Sequence, residues 1–179
     1  MPPPENGATA TKGKAKSFYA IMAQAIVQGT KSVMSSMAGL ETTPGTPSIK
    51  RSDKERSDVV GIMNFAVSGG IGFAGEGRGS LALSFSRECA LGLTEALFGD
   101  KKTEIDKEVE DTIGEFTNMI CGDARRRMSE HGVRMEAGLP TVVSGDGHTL
   151  SHVSAGFSFI IPFTSPHGPF ALEASVEPN

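Results

Sequence analysis

Asp111-Thr112-Ile113-Gly114-Glu115-Phe116-Thr117-Asn118-Met119-Ile120-Cys121-Gly122 is the stretch on which the fold of this chain turns. Around it, Val109, Ile113, Phe116, Ile120 and Ala124 recur at spacings of four, three, four and four, the rhythm of one core-facing side of an α-helix. Asp111, Glu115, Asn118 and Gly122 recur at four, three and four. At about 100° per residue they form a stripe roughly 60° wide on the opposite side. The segment thus predicts a helix with an ordinary buried face and, behind it, a narrow, chemically mixed face that core packing does not require.

That outer face is unusual in what it omits. A merely solvated face tends to carry Lys, Glu, Arg and Gln in i,i+4 pairs. Here Glu115 and Asn118 hold the centre, with Gly122 one turn on and Gly114 on the flank. A mid-helix glycine costs about 1 kcal/mol relative to alanine, and Asn is a poor interior helix former. Two explanations stand open: something approaches this backbone from outside, or the glycines make room for another element of the same chain.

Working outward, the helix is expected from about Glu104 to Glu130, capped by Thr103. Glu104, Asp106 and Glu108 crowd its first turns and Arg125 to Arg127 its last, both in the sense that offsets the helix dipole. The triple arginine is therefore read as structural. Upstream, Arg87 to Phe98 is a short helix stopped by Gly99. Ser80 to Ser86 alternates Leu81, Leu83 and Phe85 with smaller residues and predicts a strand, as does Asp58 to Val67. From Ser17 the pattern Phe18, Ile21, Met22, Ala25, Ile26, Val33 and Met37 predicts an amphipathic helix ending before Gly39. Leu40 to Lys50, with two prolines, reads as an extended edge segment. Downstream, Val133 to Val143, Ser151 to Pro162 and Phe170 to Val176 predict three strands joined by Gly-rich turns such as Ser144-Gly145-Asp146-Gly147.

Helices gathered into blocks between runs of strands favour an α+β domain, long helices packed on a mainly antiparallel sheet. Residues 1–15, rich in Pro, Gly, Thr and Lys, are expected to form a disordered arm, leaving 16–179 as one domain. A chain of 179 residues with 38% hydrophobic content supports one core.

Composition also excludes. A net charge of -4, a single Tyr and no Trp argue against nucleic-acid binding and against a surface for stacking single strands. No apolar run approaches the roughly 20 residues of a membrane span, and the N-terminus lacks the apolar region of a secretory signal. A cytoplasmic protein with Cys89 and Cys121 as buried, reduced thiols is the expectation. His131, His148, His152 and His167 do not gather on one helix face with carboxylates, so no metal site is expected. Gly70-Ile71-Gly72-Phe73-Ala74-Gly75 matches a dinucleotide fingerprint, but that fingerprint needs a helix directly after it. A strand is expected there, and the glycines read as a hairpin turn. Asp111 and Glu115, exposed on a helix, should stay ionised and act as charges rather than as an acid–base pair.

The stripe Asp111-x-x-x-Glu115-x-x-Asn118, followed by Gly122, resembles the signature helix of the CheC, CheX and FliY phosphatases of bacterial chemotaxis. The resemblance extends over about residues 16–177. It takes in the N-terminal amphipathic helix with Met34-Ser35-Ser36-Met37-Ala38-Gly39, the glycine-rich hairpin, and the short helix ending Leu97-Phe98-Gly99. CheC-like members carry Glu-x-x-Asn on two helices; the first helix here has Gln24 and Gln28 instead, and one site per chain is the CheX pattern. The family also tends to have a proline downstream of the Asn, where this chain has Pro140.

The resemblance implies an activity: hydrolysis of the aspartyl phosphate of a CheY-like response regulator. Asn118 would hold the attacking water and Glu115 would pair with the regulator's active-site lysine. Asp111 would add a peripheral contact, and Gly114 and Gly122 would let the helix lie flat against the partner. Mg²⁺ would belong to the regulator, with no cofactor bound by this chain, and the protein would be a homodimer with joined sheets. The competing expectation is a non-catalytic docking module of the same fold, as in the flagellar switch.

Overall fold

A computed structural model describes residues 6–50, 65–145 and 157–179. The elements run α1 (Asn6–Ala38), β1 (Thr43–Pro44), β2 (Ser48–Lys50), β3 (Phe65–Gly75), β4 (Gly77–Ser86), α2 (Arg87–Phe98), α3 (Lys107–Glu130), β5 (Met135–Ala137), β6 (Thr141–Ser144), β7 (Phe157–Ser165) and β8 (Gly168–Pro178). The described strands form one sheet in the order β1-β7-β8-β4-β3-β5, with β2 also on β7 and β6 also on β3. Every described pairing is antiparallel. The expected α+β architecture is present.

Strand register explains where the core sits. Side chains alternate between the faces of a strand, and pairing lines up Phe85, Phe170 and Phe163 across β4, β8 and β7. Their rings stack, with centroids 5.2 Å apart for Phe85–Phe170 and 4.9 Å for Phe163–Phe170. The next row on that face is Leu83, Leu172 and Ile161, and the one after it Leu81, Ala174 and Phe159. All nine residues are buried in one cluster with Val109, Ile113, Phe116, Ile120 and Ala124 of α3 and with Met22, Ile26 and Met34 of α1.

On β3 the Leu83 row reaches Gly69, which pairs in turn with Val142 of β6. A Cβ built there would collide with Thr117 Oγ1 and come within 3.3 Å of the Ile113 carbonyl oxygen. The Thr117 hydroxyl cannot swing away freely, because Thr117 is fully buried and donates to the Ile113 carbonyl at 2.7 Å. Helix α3 thus rests on bare backbone at this point.

Several expectations are corrected. The glycine run does not form the hairpin turn: Gly70, Gly72 and Gly75 lie in β3, and the chain reverses at Glu76 between Gly75 and Gly77. Gly75 has a φ of +143°, which a side chain would disfavour. Helix α3 starts at Lys107, not near Glu104, because Asp106 is the better cap: its Oδ1 accepts the Val109 amide at 3.0 Å. The Thr103 carbonyl instead accepts from Arg87 Nη2 at 2.6 Å. The single strand expected over Val133–Val143 is two short ones, separated by Gly138, Leu139 and Pro140.

Helix α1 begins at Asn6, well inside the segment expected to be a disordered arm. The alanines and lysines of residues 8–16 are good helix formers, whereas the prolines at positions 2 to 4 fall outside the described residues. Most of the strand expected over Asp58–Val67, the first part of that expected over Ser151–Pro162, and His148 and His152 also lie outside them.

Cys89 and Cys121 are free and buried. Burial pushes both thiols from an ordinary value of 9.0 up to about 11; at Cys89 a hydrogen bond with Ser165 opposes this weakly, and at Cys121 the charge of Arg125 does.

Two predictions follow from this packing. Gly69→Ala should lower unfolding stability by about 1–3 kcal/mol, the usual cost of forcing extra volume into a close-packed site, measured by urea denaturation. An unchanged midpoint would mean that α3 can lift off β3 without loss. Both thiols should resist a disulfide reagent at pH 8 in the folded protein and react once it is unfolded. Because the unfolded thiols ionise first, stability should also fall as pH rises from about 9 to about 11.

Candidate active site

The two faces of α3 separate as the spacing requires. Val109, Ile113, Phe116, Ile120 and Ala124 are at most 3% exposed, while Asp111, Glu115, Asn118 and Gly122 are all exposed. Glu115 and Asn118 stand three residues apart, about 4.5 Å along the helix axis. Among the described residues neither side chain takes part in a hydrogen bond or ion pair.

Their neighbours are engaged. Lys107 Nζ donates to Asp111 Oδ1 at 2.7 Å in an i,i+4 pair, which holds the lysine above its ordinary value. Lys102 bridges Asp106, at 3.0 Å, and Glu108. At Asp106, the Val109 amide and then Lys102 hold the carboxyl below the usual carboxylate range. Further along, Asp123 receives Arg126 Nη2 at 2.7 Å and Arg127 Nε at 2.6 Å. Burial pushes the Asp123 carboxyl up, but the arginines outweigh it and the net direction is down. Arg125 Nε donates to the Met135 carbonyl at 2.8 Å, tying α3 to β5. The triple arginine is structural, as its position at the end of the helix suggested.

The two glycines answer the open question differently. Gly122 is exposed, and a Cβ there would meet nothing within 4 Å. Gly114 is buried, and a Cβ there would lie 3.3 Å from Val142 Cγ2 of β6. At Gly114 the missing side chain makes room for a strand of the same chain. Gly122 alone of the pair leaves open surface beside Asn118.

Sequence reasoning missed one feature. A groove of about 730 Å³ runs along the N-terminal half of α3, between the C-terminal ends of α1 and α2. Met37 and Phe98 border it at 44% and 56% exposure. Leu97 and Met119 line it, and it reaches Asp111 and Glu115. One signal was available: Phe98 is a large apolar residue at a helix end, directly before Gly99.

His131 caps the C-terminus of α3, and His167 packs against Gly92 in the β7–β8 turn. Among the described residues no group of three or more His, Cys, Asp or Glu side chains is placed to hold a metal ion. No helix among the described residues is long and apolar enough to cross a membrane.

Comparison with known proteins bears on what this face does. Residues 67–164, which include the whole of α3, match the family model for the chemotaxis phosphatase CheX. The CheY-P phosphatase CheX of Thermotoga maritima is 29% identical over 122 residues, covering 68% of this chain and 74% of that protein. The crystal structure of a chemotaxis protein CheX from Desulfovibrio desulfuricans is 36% identical, with a TM-score of 0.77 over 87% of this chain and 99% of that one. A CheX from Borrelia burgdorferi, solved in complex with CheY, BeF3 and Mg²⁺, has the same fold at 22% identity, with a TM-score of 0.70 over 87% of this chain and 97% of that one. With the family match spanning more than half of the chain, and the Glu-x-x-Asn pair exposed on its central helix, this protein belongs to the CheX family of chemotaxis phosphatases.

Proposed function

We propose that this chain hydrolyses the aspartyl phosphate of a CheY-like response regulator, with the outer face of α3 as the reacting surface. The observation that carries the reading is the pairing of Glu115 with Asn118: two exposed polar side chains one helical turn apart, engaged with nothing among the described residues, in a chain of this family.

The reaction needs little from the phosphatase. Phosphoryl transfer is governed by in-line positioning and charge neutralisation. A water oxygen forms a bond to phosphorus as the bond from phosphorus to the aspartyl oxygen breaks. The aspartate leaves as a carboxylate with the bonding electrons, and the water's proton goes with the released inorganic phosphate. What must be supplied is a water held opposite the leaving carboxylate, which turns random attack into positioned attack.

Asn118 suits that task. A carboxamide can donate to and accept from one water, and being uncharged it does not repel the phosphoryl group. Glu115 pairs with a cationic side chain of the regulator and sets the register of the helix. Asp111, already held by Lys107, contributes at the periphery, and the open surface at Gly122 admits the partner's backbone. Mg²⁺ belongs to the regulator in this reading, where it neutralises phosphoryl charge. The composition of the Borrelia burgdorferi complex supports that assignment.

The same reading makes the chain a cytoplasmic homodimer paired through a sheet edge. Ile49 of β2 and Val143 of β6, on the outermost strands, are 66% and 40% exposed, which suits edge-to-edge association.

Decay of a phosphorylated CheY-like regulator tests the assignment. Wild type should accelerate it. Asn118→Ala should lose roughly 100-fold in the accelerated rate, the scale of a misplaced reactant, while still binding. Glu115→Ala should weaken both binding and rate. Full activity in Asn118→Ala would overturn the role given to this helix.

A further inference from the structure

Resting on the phosphatase reading, we infer that the groove beside Glu115 is a specificity pocket: it receives one apolar side chain of the regulator, carried next to the cation that pairs with Glu115. The described residues place five large apolar side chains on the surface, namely Met37, Ile49, Phe98, Leu139 and Val143. Three of them belong to the sheet edges or their connections. Single exposed apolar residues are ordinary. Met37 and Phe98 differ in that they converge on one concavity, with Leu97 and Met119 as its further apolar lining.

Charge decides the occupant. Of the carboxylates lining the groove, Glu108 is paired with Lys102 and Asp111 with Lys107. Glu115 alone has no partner among the described residues. The groove therefore presents one free negative charge at the rim of an apolar recess, and its complement is one cation beside an apolar group. A second copy of this chain is the poorer fit. Two-fold pairing through this groove would bring the same surface of both protomers together, gathering two free Glu115 carboxylates into one interface. The recess is also continuous with the proposed reacting face, since Asp111 and Glu115 belong to both.

The division of labour that results is testable. Asn118 acts on the rate of the bound complex, whereas Phe98 and Met37 act on the concentration of regulator needed to form it. Initial rates of phosphoryl loss, measured against regulator concentration, should show Phe98→Ser raising the half-saturating concentration roughly tenfold, or about 1.4 kcal/mol, with the maximal rate kept. Phe98→Leu should restore near wild-type half-saturation. Sedimentation of both variants should match wild type.

Unchanged half-saturation in Phe98→Ser would overturn the pocket while leaving the phosphatase reading intact. A fall in maximal rate alone would assign Phe98 to holding the helix rather than the partner. A shift in oligomeric state would assign the groove to a second copy. If wild type itself did not accelerate decay, the phosphatase reading would fail first and the pocket with it.

Discussion

Everything on the outer face of this molecule depends on one contact behind it, the seating of Thr117 and Ile113 on the bare backbone of Gly69. The rows of the sheet carry Leu, Ile and Phe from β7 through β4, and a bulky residue at the β3 end would hold α3 away from the sheet. Glycine lets the helix descend until its backbone meets the strand. That descent buries Val109, Ile113, Phe116, Ile120 and Ala124 completely enough to fix the rotation of the helix, and with it the direction in which Asp111, Glu115 and Asn118 face. A reacting surface on a rigid element is held more closely than one on a loop. The ends of α3 are fixed as well, by the Asp106 cap at one and the Arg125–Met135 hydrogen bond at the other.

Nearly every charged side chain of α3 is engaged, Glu110 by the Ser144 hydroxyl and Arg125 by the Met135 carbonyl, and most of the others in ion pairs. Lys107 with Asp111, Lys102 with Asp106 and Glu108, Arg126 with Asp123 and Glu130, and Arg127 with Asp123 form a near-continuous set of pairs along the helix. Exposed pairs of this kind add little to stability. Their effect on recognition is larger, because a paired carboxylate makes a weaker demand on an incoming cation. Glu115 stands out from the set, with neutral Asn118 one turn away. A negative charge that fixes orientation and an uncharged group that handles water need not compete for the same partner.

Much of this was legible in the sequence, for identifiable reasons. The 3.6-residue rhythm of α3 is long and strong enough to separate its two faces, and the alternation of Leu81, Leu83 and Phe85 marks β4 directly. The glycine run was misread as a turn because Gly is commonest in turns. Gly69, directly before that run, is the glycine that admits a helix, and its use depends on α3, more than forty residues away in the chain. The start of α3 was misplaced because Thr103 and Asp106 are both capping residues; Asp106 prevails, its Oδ1 accepting the Val109 amide while the Thr103 carbonyl accepts from Arg87. Gly114 and Gly122 were given one role; β6, which packs on Gly114 alone of the two, makes them different. Phe98 hinted at the groove, but its shape was not legible, because it is assembled from the ends of two helices and the side of a third.

The most direct measurement is a crystal structure of this chain bound to its regulator, with beryllofluoride on the regulator's phosphorylatable aspartate. The account predicts that α3 faces the regulator's active site, that the Asn118 carboxamide lies within hydrogen-bond reach of a water in line with the beryllofluoride, and that Glu115 contacts a cationic side chain. A complex in which another surface covers the phosphorylation site, leaving Asn118 in bulk solvent, would contradict it.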